Sequence, residues 1–147
     1  MTRPASILLV EDNPMDVELI IDAFKEARLR NNIQVARNGK QALEFLFGEE
    51  NYADRKQYPL PDIVLLDLKM PGIDGHEVLR QIKCTDRLKR IPVIILTSSR
   101  DEGDRAMSYD NGANSYLVKP VSFEEFLKVV KQVSDYWLTL NVEPPLN

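Results

Sequence analysis

Three carboxylates stand directly behind short apolar runs. Glu11 and Asp12 follow Ile7-Leu8-Leu9-Val10, and Asp67 follows Ile63-Val64-Leu65-Leu66. Two more runs, 93–96 and 116–118, end in Thr97-Ser98 and in Lys119-Pro120. If these runs lie side by side, their ends gather three carboxylates, a hydroxyl and an ammonium in one place. Unpaired carboxylates about 4 Å apart repel by roughly 1 kcal/mol even in bulk water, and by more in a partly dry site. A hard divalent cation with oxygen ligands removes that conflict. Mg2+ suits a few carboxylates completed by phosphate and water, whereas Ca2+ asks for more protein ligands. The set meets the needs of phosphoryl transfer, which rests on positioning and on neutralising charge at the equatorial oxygens. An aspartate can be the nucleophile.

The four runs are too short for helices and rich in β-branched residues, as expected of strands buried on both faces. Ile33-Gln34-Val35-Ala36 has mixed polarity and suits the edge of a sheet. Helical spacing fills the intervals. Asn13-Pro14 supplies a cap and a first-turn proline, and Val17, Ile20, Ile21 and Phe24 then share a face. Asn38 caps a second helix through Ala42, Leu43 and Leu46. Asp74 to Glu77, Ser99 to Glu102 and Ser122 to Glu125 each set a capping residue three before a glutamate, predicting three further helices with reciprocal caps. Gly112 stops the second of these three. The stretch 48–61 reads as a loop.

Strands alternating with helices imply right-handed crossovers and a parallel sheet covered on both sides. The expected fold is α/β, a flavodoxin-like (βα)5 three-layer sandwich with a five-stranded parallel sheet in order 2-1-3-4-5. In that order the chain reverses direction between strands 1 and 3, which opens a crevice beyond their carboxyl ends. The carboxylates fall there.

The bulk properties set limits. The 147 residues suit one domain with one core. Lys and Arg total 19 against 23 Asp and Glu, a net charge of -4, which argues against a domain that works by coating nucleic acid. A lone Cys84 excludes an intrachain disulfide. No signal peptide or membrane-spanning stretch is seen, so a cytoplasmic protein that engages neither membrane nor nucleic acid directly is expected.

This constellation resembles the receiver domain of two-component response regulators, with the motifs in the right order from Ser6 to about Lys131. The resemblance makes residues 1–147 a single receiver domain, with a core of about 6–131 and a helical extension and tail at about 132–147. It implies that Asp67, in Leu66-Asp67-Leu68-Lys69-Met70-Pro71-Gly72-Ile73-Asp74-Gly75, accepts a phosphoryl group from a sensor histidine kinase. By the same resemblance Mg2+ is the cofactor, bound by Asp12 and Asp67 directly, by Glu11 through water and by Lys69 through its backbone carbonyl. Thr97 and Lys119 would hold phosphoryl oxygens, the Lys119-Pro120 peptide would be cis, and Thr97 and Tyr116 would form the switch. One hypothesis is that the ammonium of Lys69 screens the phosphoryl group and alters its lifetime. His76 reads as a surface helix residue, since no second His or Cys is placed to share a metal.

The chain ends soon after its last predicted helix, so the expected output is a contact rather than an attached effector. That helix, 123–140, carries apolar residues over a wide arc, with Phe126, Val130, Val133 and Trp137 central. The hypothesis is a homodimer through the fourth helix, fifth strand and fifth helix, with the downstream partner unknown. The long loop before the third strand and the extended end are similar to single-domain regulators paired with bacterial phytochromes. Two other classes fit less well. Aspartate-nucleophile phosphatases usually carry a second Asp two residues after the nucleophile, where this chain has Lys69. A flavodoxin-like cofactor binder needs a phosphate-cradling turn after the first strand, where Glu11-Asp12-Asn13 would repel a flavin phosphate.

Overall fold

The computed structural model describes residues 5–26 and 31–120, together with Ser122, residues 124–126 and Lys128. Five strands, β1 (Ala5–Val10), β2 (Asn31–Ala36), β3 (Ile63–Leu66), β4 (Val93–Thr97) and β5 (Ser115–Val118), alternate with helices α1 (Pro14–Glu26), α2 (Gly39–Phe47), α3 (Gly75–Cys84) and α4 (Glu102–Asp110). The sheet is parallel throughout, in the expected order β2-β1-β3-β4-β5. Each strand extends the apolar run predicted for it by no more than two residues, except β3, which matches it.

The period of two along each strand divides the core into two clusters. Leu8, Val10, Val64, Leu66, Val93 and Ile95 pack toward α2 and α3, with Ala42, Leu46, Val78, Leu79 and Ile82. Ile7, Leu9, Ile63, Leu65, Ile94 and Leu96 pack on the other face with Val17, Phe24 and Phe126. Phe24 and Phe126 meet edge to face with centroids 5.5 Å apart. The predicted face of α1 is the buried one, although Ile20 and Ile21 are only half-buried.

The caps follow the sequence with two corrections. Asn13, Asn38, Asp74 and Ser122 accept from the backbone N–H of Met15, Gln41, Glu77 and Glu125 respectively. α4 is not capped by Ser99: it begins later, and Asp101 accepts from Gly103 and Asp104. Asp101 stands directly before the first turn, and the Ser99 hydroxyl donates to Asp104 instead. Nor is the α3 box reciprocal, since Glu77 pairs with Arg80 and Gln81 on its own helix. Gly112, at φ +97, follows the end of α4 as expected.

The 48–61 segment is more ordered than a plain loop. It contains a 3-10 turn, Glu50–Tyr52. Arg55 donates to the carbonyls of Phe45, Leu46 and Tyr58, satisfying the open end of α2. Phe45, Tyr52 and Tyr58 pack edge to face at 5.2–6.2 Å. The predicted fifth helix lies mostly outside the described residues, so its apolar arc and the tail carry no structural statement. Among the described residues no helix is long and apolar enough to cross a membrane.

Candidate phosphoacceptor and metal site

The carboxyl edge of the sheet brings the predicted residues together. β1 and β3 are paired through Val10 and Leu66, so Glu11 and Asp67, each the next residue, emerge side by side. Asp67 N–H donates to the Val10 carbonyl at 3.0 Å, which continues the ladder to Asp67 itself. One carboxylate oxygen from each of Glu11, Asp12 and Asp67 lies within 4.8 Å of the others. Glu11 and Asp67 are buried, whereas Asp12 is exposed. This is an all-oxygen set with one open side, a fit for a hard divalent cation that keeps water or a further oxygen ligand.

Lys119 enters from the end of β5, where the Lys119-Pro120 peptide is cis as expected. Its ammonium pairs with Glu11, with Asp16 at 2.9 Å and with Asp67 at 3.4 Å. Burial works against that charge, but hydrogen bonds to Asp16 and Glu11 and the nearby Asp67 outweigh it and raise the lysine above its ordinary pKa. Glu11 is also raised, which for an acid disfavours its charged form. Its burial, aided by repulsion from Asp67, overcomes the hydrogen bond from Lys119 and raises its pKa to about 7. One ammonium does not balance this group of acids.

Thr97 ends β4 fully buried, and its hydroxyl oxygen accepts from Ser99 N–H at 3.3 Å. Tyr116 is half-buried against the α2 and α3 side of the core, and its hydroxyl donates to the Ser99 carbonyl at 3.0 Å. Lys69 N–H donates to Asp67 Oδ1 at 3.2 Å, while its ammonium lies 3.1 Å from Asp104 Oδ2. His76 is no simple surface residue. Its side chain is 16% exposed and its Nε2 lies 3.0 Å from Asp104 Oδ1, because the first turns of α3 and α4 face each other. Its buried Nδ1 has no hydrogen-bond partner among the described residues.

Sequence reasoning missed Asp16, Asp104 and two glycines. Asp16 was findable, since the first turn of the helix after Asp12 necessarily overhangs the same crevice. A Cβ at Gly75 would stand 2.4 Å from the Asp67 carbonyl oxygen and 2.7 Å from Leu68 Cα. Gly39 makes a similar approach to the Ile73 carbonyl at 2.4 Å. These two positions let α2 and α3 begin close against the segment that carries Asp67. No residue pattern within either helix announces that contact.

A parallel β2-β1-β3-β4-β5 sheet with acids, a buried threonine and a cis-proline lysine at its carboxyl edge defines a receiver, and the chain belongs to the response regulator receiver domain family, which it matches over residues 7–131. It is 45% identical over 141 residues to the probable methanogenesis regulatory protein FilR2 of Methanothrix harundinacea, covering 96% of this chain and 88% of that one. Among solved structures it resembles the phosphorylated cyanobacterial phytochrome response regulator RcpA, with a TM-score of 0.80, 37% identity and coverage of 97% and 99%. It also resembles the Mn(2+)-bound form of response regulator Rcp1, with a TM-score of 0.78, 37% identity and coverage of 97% and 100%.

Proposed function

We propose that Asp67 is the phosphoacceptor and that Glu11, Asp12, Asp67 and the Lys69 backbone carbonyl hold the Mg2+ ion the reaction needs. The observation that carries this reading is the convergence on Asp67. Its carboxylate shares a 4.8 Å cluster with two acids from the end of β1 and lies 3.4 Å from an ammonium at the end of β5. The resemblance to a phosphorylated and to a metal-bound regulator supports it.

An Asp67 carboxylate oxygen attacks the phosphorus of a kinase phosphohistidine. The new O–P bond forms as the P–N bond breaks, and the imidazole nitrogen leaves with the bonding pair and takes up a proton. The bound cation supplies neutralisation of charge on the phosphoryl oxygens. Lys119 pairs with one of those oxygens and Thr97 donates to another. The domain assists only its own phosphorylation and dephosphorylation. The acyl phosphate adds about -1.5 to -2 charges and three acceptor oxygens. Thr97 is drawn toward it, Tyr116 turns into the space that opens, and the face of α4 and β5 changes. That face, with the fifth helix, is where a second copy or a downstream partner docks. A native mass that stays monomeric at all concentrations, phosphorylated or not, removes the dimer.

The donor is a cytoplasmic sensor histidine kinase of the phytochrome type. Light-dependent phosphotransfer from a phytochrome kinase to this chain supports that assignment; transfer only from other kinases overturns it. The decisive experiment for the site is intact mass before and after acetyl phosphate with Mg2+, for the native chain and Asp67→Asn. A single phosphate adduct confined to the native chain is expected. An adduct that persists in Asp67→Asn refutes the assignment.

A further inference from the structure

Asp104, in the first turn of α4, collects donors from three separate segments. Its Oδ1 pairs with His76 Nε2 of α3 at 3.0 Å. Its Oδ2 accepts from Ser99 Oγ of the β4–α4 connection at 2.6 Å and lies 3.1 Å from Lys69 Nζ of the β3–α3 connection. Hydrogen bonds from Ser99 and His76, with a smaller contribution from Lys69, hold its carboxyl well below the usual carboxylate range. It therefore remains a full acceptor at any working pH.

Two of these donors are tied directly to the acceptor site. Lys69 lies two residues beyond Asp67, and its N–H donates to Asp67 Oδ1. Ser99 lies two residues beyond Thr97, and its N–H donates to the Thr97 hydroxyl oxygen. The Ser99 carbonyl in turn accepts from the Tyr116 hydroxyl. One carboxylate thus anchors the segment after the acceptor and the segment after the threonine to the start of the same helix.

We propose that Asp104 is a positioning residue of the switch, a clamp that holds Lys69, Ser99 and the first turn of α4 in the resting arrangement and is released when Asp67 carries a phosphoryl group. This rests on the reading of Asp67 as the acceptor. For the Thr97 hydroxyl to donate to a phosphoryl oxygen it must turn from its place beside Ser99 N–H, and Ser99 moves with it. The Lys69 ammonium is exposed on a long stem and gains a second, more highly charged anion to choose. Both changes take donors from Asp104, and displacement of Ser99 removes the carbonyl that fixes the Tyr116 hydroxyl. Removing a charge-assisted hydrogen bond of this kind shifts a two-state equilibrium by roughly tenfold.

A carboxylate that merely stabilises α4 would lower stability when replaced and leave Tyr116 where it is. The full chain is therefore labelled with 3-fluorotyrosine, and the Tyr116 signal is assigned by its loss in Tyr116→Phe. The expected result is that unphosphorylated Asp104→Asn moves this signal toward the position it takes in the native chain after acetyl phosphate and Mg2+. Adduct formation, followed by intact mass, becomes several times faster. Ser99→Ala, which removes one donor from a connection and leaves Asp104 in place, moves the signal in the same direction and decides the matter if Asp104→Asn does not fold. A Tyr116 signal at its native resting position in the folded variants overturns the clamp. A native chain that takes no adduct overturns the acceptor reading, and with it the release step, while a signal that moves in the variants still supports the resting hold of Asp104 on Ser99 and Tyr116.

Discussion

Two polar centres sit at the carboxyl edge of this sheet with opposite charge logic. At the first, one ammonium, Lys119, faces the carboxylates of Glu11, Asp16 and Asp67, with Asp12 beside them. At the second, one carboxylate, Asp104, faces the donors of Ser99, His76 and Lys69. The first has too little positive charge, and there burial, with repulsion from Asp67, raises Glu11 to about 7 despite its hydrogen bond from Lys119. The second is satisfied, and Asp104 is held well below the usual carboxylate range. An unbalanced centre is poised to bind something; a balanced one holds its surroundings still. On the proposed readings, ligand capture and resting geometry fall to different acids.

The largest expected effect comes from removing the single cation of the first centre. Breaking a buried pair by deleting one partner typically costs about 3–5 kcal/mol. Lys119→Met is expected near the lower end, roughly 3 kcal/mol at pH 8, because Asp12 and Asp16 reach solvent and Glu11 can recover by taking a proton. The loss should shrink at pH 6, where that proton is available. Urea unfolding at the two pH values measures both.

Glu11 itself makes the stability of the metal-free chain depend on pH. The folded chain holds the Glu11 proton to about pH 7, whereas the unfolded chain releases it near the ordinary value of 4.5. Between those values the folded state binds more protons, so stability falls as pH rises, by up to about 3 kcal/mol across the interval. Glu11→Gln should flatten that slope. A slope of the same size in Glu11→Gln would assign it to another group.

Adding the missing positive charge reverses the deficit. A divalent cation at a hundredfold excess over its Kd stabilises the chain by about 2.7 kcal/mol. The gain should grow as pH rises, since a protonated Glu11 competes with the ion. Thermal unfolding with and without Mg2+ or Mn2+ reads the effect, and Asp12→Ala should abolish most of it. An equal gain in that variant would place the ion elsewhere.

The first centre, Asp16 apart, was legible in the sequence and the second was not. Glu11, Asp12, Asp67, Thr97 and Lys119 each follow an apolar run, so strand order alone brings them together, and their chemistry is legible in residue type. The members of the second centre come from helix starts and connections, where small changes in cap position decide which side chains meet. The misplaced cap is instructive. The spacing of Ser99 three before Glu102 predicts a cap there, but Asp101 takes that role and the Ser99 hydroxyl donates to Asp104. His76 departs from its expected surface position for the same reason: whether a first-turn residue faces solvent depends on the neighbouring helix, which no pattern within α3 reports. The packed 48–61 segment shows a third limit, since Arg55 finds its carbonyl partners nine and ten residues earlier, at a helix end whose position had first to be known.

The smallest effect is the one that separates structure from signalling at the second centre. Lys69 is 60% exposed, and its pair with Asp104 competes with water, so Lys69→Ala should cost no more than about 1 kcal/mol in stability. Asp104 keeps Ser99 and His76 in that variant, so the resting geometry survives in large part. What changes, on the proposed reading, is the charge available after phosphorylation, because the residue two beyond Asp67 no longer offers an ammonium to the new oxygens. Unfolding by urea should therefore barely distinguish the variant, while the decay of the phosphate adduct, followed by intact mass, should differ from the native chain. A large stability loss with an unchanged decay would reverse the roles of the two centres: Lys69 would then belong to the scaffold, and the contrast between a binding centre and a holding centre would have to be drawn at Ser99 instead.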